Sequence, residues 1–302
     1  MKTLISIVGT TGIGKTRLAI DLARELHTEI ISCDSRQFFR EMSIGTAAPT
    51  KEERSKAPHH FIGQLSVEEY YSIGHYENDA IAMLNTLFEK KQHVILVGGS
   101  MMYEKAVLEG LHNLPEANQN NQQKLTQIWK EKGLGELQNM LSAMDPEYFS
   151  AVDRENPRRL LRAIDVMWQT GKKYSESISE PKKQRPFRIV RIGIEAPRDI
   201  IYQRINNRVD LMMESGLLQE VEQLLPFQNL TALKTVGYTE LFRFLKKEYD
   251  LPFAVEEIKK NSRRFAKRQL TWYRGETNIQ WVSYKNPLQE SLSLLRDEIL
   301  LK

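Results

Sequence analysis

The sequence predicts an α/β fold in which a parallel sheet is interrupted by a largely helical insertion. The first observation is the opening segment, where the apolar run Thr3–Val8 leads directly into a glycine-rich loop, residues 9–16. The second is that apolar residues recur with helical periodicity in residues 115–186, where few segments have strand character. The third is the recurrence of apolar runs with strand character along the chain, at 29–33, 92–97 and 187–194.

The glycine-rich loop has the spacing G-x-x-x-x-G-K-[ST] of a phosphate-binding loop. Its glycines let backbone N–H groups face a diphosphate, Lys15 adds a positive charge, and the Thr16 hydroxyl can ligate Mg²⁺. Leu18, Leu22 and Leu26 then recur every four residues, which predicts a helix whose N-terminus favours an anion. This context makes a turn without a ligand the weaker interpretation. The predicted phosphate-binding residues are Gly9, Thr10, Thr11, Gly12, Ile13, Gly14, Lys15 and Thr16.

The ends of the second and third predicted strands supply two more candidates. Asp34 and Ser35 follow the second strand, and ligands of open α/β sheets lie at the carboxyl ends of strands. Asp34 is therefore expected to face the ligand of the loop rather than only to cap a turn. The third strand ends in Gly98-Gly99-Ser100, where many nucleoside-triphosphate hydrolases carry an Asp that holds magnesium. The phosphate-binding loop is thus expected to hold a diphosphate that the protein does not serve to hydrolyse. The alternative interpretation is that Gly98-Gly99 is only a tight turn.

The predicted helical insertion spans residues 115–186, which leaves residues 1–114 and 187–302 as a catalytic core. One of its helices is apolar except for three arginines. The sequence alone leaves open whether they form a solvated edge or a phosphate clamp: Arg158, Arg159 and Arg162.

Basic residues concentrate in the last third of the chain. Arg204 and Arg208 are four residues apart on one predicted helix, either reaching toward phosphates or lying on a solvated face. A long helix is predicted after Pro252, and residues 259–274 contain no acid. Because like charges four apart repel by about 0.2–0.5 kcal/mol per pair, a nucleic acid is the favoured ligand of this stripe. The stripe comprises Lys259, Lys260, Arg263, Arg264, Lys267, Arg268 and Arg274, and a second cluster comprises Lys182, Lys183, Arg185 and Arg188.

Composition narrows the class of protein. The 302 residues suffice for about two domains, and 27% charged residues are typical of a soluble globular chain. No run approaches the ~18 apolar residues of a membrane span, and the loop starts so early that we expect no leader. Cys33 is the single cysteine, which fits a reducing cytoplasm and a packing role. Adjacent His59 and His60 point apart, so a structural role is favoured over metal binding.

An ordered set of motifs across nearly the whole chain resembles the bacterial tRNA dimethylallyltransferases, also called isopentenyltransferases. The resemblance implies a P-loop kinase-like parallel sheet core with a helical insertion domain. It also implies transfer of the dimethylallyl group from dimethylallyl diphosphate to N6 of the adenine 3′-adjacent to the anticodon. The motifs lie at residues 9–16, 34–37, 44–46, 58–60, 98–103, 156–163, 236–238 and 267–274.

The same resemblance implies roles for individual residues. Asp34 becomes the candidate general base, and Ser100 a catalytic hydroxyl beside it. Arg208 joins the loop in binding the diphosphate, and Thr16 holds Mg²⁺. The insertion is expected to grip the tRNA anticodon stem-loop, with the target base flipped into the site. The implied tRNA-binding residues are Asp34, Ser35, Arg36, Gln37, Arg158, Arg159, Leu160, Leu161, Arg162, Lys267, Arg268 and Arg274.

The chain departs from the family pattern at four positions. The family usually has Thr at Ser100, Tyr at Phe39, Lys at Ala48 and often an acid at Gly63.

We expect a cytoplasmic monomer that does not bind membranes. Two other functions remain open from the residues: a small-molecule or nucleotide kinase of the same α/β type, and a non-catalytic RNA-binding protein that senses a nucleotide.

Overall fold

The computed structural model describes residues 2–179 and 184–300. The chain divides into two compact units. We call Met1–Leu108 with Pro186–Lys302 the sheet unit, and Glu109–Arg185 the helical unit. The predicted insertion, residues 115–186, overlaps the helical unit. Lys182 and Lys183 of the second basic cluster lie outside the described residues.

The sheet consists of six parallel strands, namely β1 (Thr3–Val8), β2 (Ile30–Ser32), β3 (His59–His60), β4 (His93–Val97), β5 (Arg188–Glu195) and β6 (Ile279–Ser283). Their order is β3-β2-β4-β1-β5-β6, so β1 lies between β4 and β5. Since every strand is parallel, the loops after β1, β2 and β4 leave the sheet at the same edge. This confirms the predicted parallel α/β core and brings its three candidate loops together.

Both faces of the sheet are apolar, which explains why its central strands are continuous apolar runs. Ile5 and Ile7 of β1 pack on one face with Leu18 and Leu22 of the first helix. Leu4 faces the opposite way, toward a second buried cluster that contains Tyr76. Helices must therefore cover the sheet on both sides, and they do.

The helices are α1 (Lys15–Glu25), α2 (Lys51–Lys56), α3 (Ile73–Lys90), α4 (Met101–Glu109), α5 (Gln119–Lys132), α6 (Leu134–Met144), α7 (Pro146–Ala151), α8 (Pro157–Thr170), α9 (Tyr174–Ser179), α10 (Arg198–Glu214), α11 (Leu217–Gln223), α12 (Tyr238–Leu245), α13 (Leu251–Arg274) and α14 (Pro287–Leu300). Two short 3₁₀ turns, Leu225–Phe227 and Thr231–Leu233, lie between α11 and α12. Among the described residues, none of these helices is both long and apolar enough to cross a membrane.

The helical unit is built from α5 to α9 around its own leucine-rich core. Asp145 and Asn156 cap α7 and α8, each followed by proline in the first turn of its helix. Gly171 ends α8 in the left-handed conformation, with φ of 69°. Capping residues, prolines and a glycine in the sequence therefore determine where these helices begin and end.

Candidate active site

The phosphate-binding loop folds tightly between β1 and α1. Gly9 has φ of 141°, and a Cβ there would lie 3.1 Å from the Ile194 carbonyl oxygen, so a side chain would be strained and crowded. The Lys15 ammonium folds back and donates to the carbonyls of Gly9 at 3.0 Å and Thr10 at 2.8 Å. Burial, with the Arg208 charge second, lowers the pKa of Lys15 to about 8. The loop therefore carries a cation that carbonyl oxygens neutralise only in part, with the Asp34 carboxylate as a further negative charge acting on it.

Two arginines from α10 reach this loop. Arg204 Nη1 donates to the Ile13 carbonyl at 2.9 Å. Arg208 Nη1 donates to Thr11 Oγ1 at 3.3 Å, and its Nη2 donates to the Thr46 carbonyl at 3.3 Å. Burial lowers the pKa of Arg208, and the charge of Asp34 opposes that shift. Both arginines therefore contact the loop instead of lying on a solvated face, and their contact with phosphates stays a prediction.

Asp34 follows β2 in a constrained turn. Its Oδ1 accepts a hydrogen bond from the Arg36 N–H at 3.1 Å, and its own N–H donates to Ser32 Oγ at 3.2 Å. A Cβ on Gly99 would lie 2.8 Å from Asp34 Oδ2, so the glycine after β4 leaves room for that oxygen. The carboxylate is therefore placed by backbone contacts on both sides.

Ser100 contacts the residue after Asp34. Its Oγ accepts a hydrogen bond from the Ser35 N–H at 3.0 Å and lies 2.9 Å from Ser35 Oγ. This contact links the turn after β4 to the turn after β2. The serine hydroxyl is sufficient for both contacts.

Two cavities meet at this point of the sheet unit. The smaller, about 230 Å³, is lined by Lys15, Thr16 and His59 among others. The larger, about 380 Å³, includes Ser100 and Met102 in its wall. Five residues line both cavities: Thr11, Asp34, Gly99, Arg208 and Phe265. Asp34 and Arg208 therefore stand between a space beside the phosphate loop and a second, wider space.

Oxygen ligands in the smaller cavity fit a hard divalent cation. Thr16, Ser32 and Asp34 line it, and Mg²⁺ prefers one or two protein oxygens together with water and substrate phosphates. Among the described residues no group of three His, Cys, Asp or Glu could hold a metal alone. The donor set of this cavity therefore fits a hard divalent cation that takes its remaining ligands from outside the protein.

The first predicted tRNA-binding segment, residues 34–37, is largely occupied by contacts within the sheet unit. Arg36 Nη1 donates to the carbonyls of Thr231 at 3.0 Å and Ala232 at 2.9 Å. Gln37 Nε2 donates to the carbonyls of Thr46 and Ala47, each at 3.3 Å. These side chains hold neighbouring segments in place, and any contact with RNA remains a prediction.

The structure corrects part of the second predicted tRNA-binding segment in α8. Arg158 and Arg159 are exposed, but Leu160 and Leu161 are buried in the core of the helical unit. Their predicted contact with RNA is wrong for the side chains, because these pack against other helices. Arg162 donates to Asp165 Oδ2 at 3.2 Å and to the Pro115 carbonyl, so it also has a structural role.

The basic stripe of α13 also differs from the expectation. Lys259 pairs with Asp210 at 2.8 Å, Lys260 pairs with Glu257, and Arg263 donates to Asn206 at 2.7 Å. Acids therefore neutralise the first two lysines of the stripe, whereas Arg263 and Arg264 contact the neutral side chains of Asn206 and Asn261. Among the described ion pairs, none involves the exposed residues of the second half, Lys267, Arg268 and Arg274.

Sequence reasoning missed a network around Glu220. Its carboxylate accepts hydrogen bonds from the Ile44 N–H at 2.8 Å, the Gly45 N–H at 2.9 Å and the Tyr238 hydroxyl at 2.6 Å. A Cβ on Gly45 would lie 2.6 Å from the Tyr238 ring, so only glycine fits. The motifs at 44–46 and 236–238 were visible as short patterns, but nothing in the sequence pointed to Glu220 as their common partner.

The family model described as IPP transferase matches residues 37–276. A tRNA dimethylallyltransferase of Christiangramia forsetii is 49% identical over 281 residues, which cover 93% of each chain.

Solved structures give the same result. The tRNA isopentenylpyrophosphate transferase of Bacillus halodurans has a TM-score of 0.72 at 33% identity, covering 99% of this chain and 96% of its own. A eukaryotic dimethylallyltransferase acting on tRNA has a TM-score of 0.85 at 25% identity, covering 100% and 80%. The likeness therefore extends over both units of the chain.

Proposed function

Because the chain belongs to the IPP transferase family and is a transferase that modifies tRNA, we propose that it moves a dimethylallyl group from dimethylallyl diphosphate to N6 of an adenine. The adenine is the one on the 3′ side of the anticodon. The observation that carries this proposal is the junction of two cavities at Asp34 and Arg208. A donor beside the phosphate loop and a base in the wider cavity would meet at that junction.

The smaller cavity suits the diphosphate of the donor. Lys15 and Arg208 supply two partly buried positive charges, and α1 adds the positive end of its dipole. Membership of the family is consistent with a divalent metal, and we assign it as Mg²⁺ held by Thr16 with the donor phosphates. When bound, such an ion neutralises charge on the departing oxygen. Lys15 and Arg208 stabilise the same charge from the protein side.

Asp34 is assigned as the general base. The lone pair of adenine N6 attacks C1 of the allyl group, the C1–O bond breaks, and pyrophosphate leaves with both bonding electrons. N6 then carries an extra proton, which the Asp34 carboxylate accepts. Contacts from the Arg36 N–H and the close backbone of Gly99 hold this carboxylate in one orientation, which contributes through alignment of the reactants.

The surfaces assigned to tRNA lie on both units. The exposed Arg158 and Arg159 are assigned to the anticodon stem-loop, and Lys267, Arg268 and Arg274 to other phosphates of the same arm. The target base must leave its stack to reach the wider cavity. Since tRNA is the substrate, we assign the protein to the cytoplasm, acting as a monomer.

One experiment tests the function and its alternatives. Purified protein is incubated with dimethylallyl diphosphate, Mg²⁺ and unmodified tRNA, and the RNA is analysed by mass spectrometry. The proposal expects the RNA to gain one dimethylallyl group on the adenine 3′ to the anticodon. A parallel reaction with ATP and a metabolite panel, without tRNA, would show turnover if the protein were a kinase. Binding of tRNA without any covalent product would indicate a non-catalytic RNA-binding protein.

A further inference from the structure

Gln269 lies in the turn of α13 that also carries Lys267 and Arg268. The two cations are exposed, but Gln269 is completely buried. A fully buried carboxamide needs partners for both its N–H and its C=O groups. Gln269 finds both of them in the active site, on two different loops.

The two partners are backbone groups. Gln269 Oε1 accepts a hydrogen bond from the Thr11 N–H at 2.8 Å, and Gln269 Nε2 donates to the Gly99 carbonyl at 2.8 Å. Thr11 belongs to the phosphate-binding loop, and Gly99 is the residue whose missing side chain leaves room for Asp34 Oδ2. One side chain therefore connects the loop beside the donor to the turn beside the base.

The chemistry of this position requires an amide. One partner is a donor and the other an acceptor, and a carboxamide offers one of each at its end. A carboxylate would place a second oxygen against the Gly99 carbonyl oxygen, and an apolar side chain would leave both backbone groups unsatisfied. The contact also takes the Thr11 N–H away from any bound anion, so its purpose is to fix the loop and not to bind phosphate.

We propose that Gln269 is a positioning residue that holds the phosphate-binding loop and the Gly99 turn in register, so that the donor carbon and Asp34 are aligned for transfer. This inference rests on the proposed function. Gln269 lines the smaller cavity, but both ends of its carboxamide bind backbone groups, so it acts through Thr11 and Gly99. Loss of the register misplaces the reacting groups, and a displacement of about 1 Å can cost about 100-fold in rate.

The variant Gln269→Glu distinguishes a positioning role from a merely structural one. A protonated carboxyl group has one O–H and one C=O, so it can replace both amide contacts, whereas the ionised form cannot. Single-turnover transfer by Gln269→Glu should be reduced about 100-fold relative to wild type while the introduced carboxyl is ionised. The ratio to wild type should recover as that carboxyl takes up a proton.

Two further variants complete the experiment. Gln269→Met fills a similar volume without either hydrogen bond, and it should stay about 100-fold slow at every pH. Gln203→Glu places the same charge on an exposed position of α10 and should track wild type. Wild-type transfer rates in Gln269→Met would overturn the inference. A wild-type protein that never modifies tRNA would instead overturn the proposed function.

Discussion

The Lys15 ammonium donates a hydrogen bond of 2.8 Å to the Thr10 carbonyl, inside the loop that is proposed to hold the donor. Carbonyl oxygens neutralise a buried cation only partly, and burial together with Arg208 lowers the pKa of Lys15 to about 8. A diphosphate would supply the missing negative charge and raise that pKa.

This relationship predicts a pH dependence of donor binding. Above pH ~8, Lys15 of the donor-free protein is deprotonated and must take up a proton when the donor binds. Donor affinity should therefore be constant below pH ~8 and fall about tenfold per pH unit above it. Calorimetry of dimethylallyl diphosphate with metal-free protein checks this. Lys15→Met should bind more weakly at every pH and lack the fall, and an equally steep fall in that variant would contradict the assignment.

Tyr238→Phe should loosen the segment around Gly45. The change removes one hydrogen bond to the Glu220 carboxylate, and hydrogen bonds to charged groups contribute about 1.5–3 kcal/mol. The carbonyl of Thr46, the residue after Gly45, accepts a hydrogen bond from Arg208. Loosening this segment should therefore also raise the KM for the donor. Urea unfolding and donor titration measure the two effects. Tyr249→Phe, which removes a hydrogen bond to the Glu240 carbonyl in the same unit, should lower stability without changing the donor KM.

Arg158 and Arg159 should contribute to tRNA affinity in a salt-dependent manner. For single-stranded RNA, each phosphate that a cationic side chain neutralises adds about 0.7 to the steepness of log K against log salt. The double variant Arg158→Gln, Arg159→Gln should therefore bind unmodified tRNA more weakly and with a shallower slope. Filter binding at several salt concentrations measures this. The control Arg17→Gln, at an exposed position of α1, should keep the wild-type slope. An unchanged slope in the double variant would show that these arginines of α8 do not contact tRNA phosphates.

Glu104→Ala should strongly destabilise the sheet unit. Glu104 and Arg191 are both buried, and Arg191 Nε lies 3.1 Å from Glu104 Oε1. Removing one partner of a buried ion pair costs about 3–5 kcal/mol. Because Arg191 keeps its second pair with Glu276 at 2.9 Å, the decrease should lie at the lower end of that range. Chemical denaturation measures the decrease. Glu248→Ala breaks the exposed pair with Arg243 and should cost at most about 1 kcal/mol; equal decreases in the two variants would contradict the argument.

The parts of the fold that the sequence predicted well are those with local signals. The phosphate-binding loop, the apolar strands and the proline-started helices α7 and α8 each depend on residues a few positions apart. By contrast, β3 has two residues and β6 follows α13 in a stretch with weak alternation. No pattern in the sequence marked these edge strands, because pairing with a neighbour decides whether such short segments form strands.

The candidate site was predictable only in part. Asp34 was expected near the loop from its place at a strand end. For Arg208 the residues left a solvated face equally open, and only the family resemblance implied a role at the loop. The contact between Thr11 and Gln269 spans 258 positions, and that between Gly45 and Glu220 spans 175. Such contacts arise from tertiary packing and have no local signature. The same limit explains the error at Leu160 and Leu161, whose position in a basic motif gave no sign that they face a core.

The central claim is that Asp34 accepts the proton from an adenine N6 at the junction of the two cavities. The most direct measurement is single-turnover prenyl transfer to an unmodified anticodon stem-loop by wild-type protein and by Asp34→Asn, with tRNA affinity measured in parallel. The asparagine keeps a carbonyl oxygen for the Arg36 N–H but cannot act as a base. The account predicts a rate lowered by about 10²–10⁴-fold with tRNA affinity unchanged. Transfer by Asp34→Asn at the wild-type rate would contradict it.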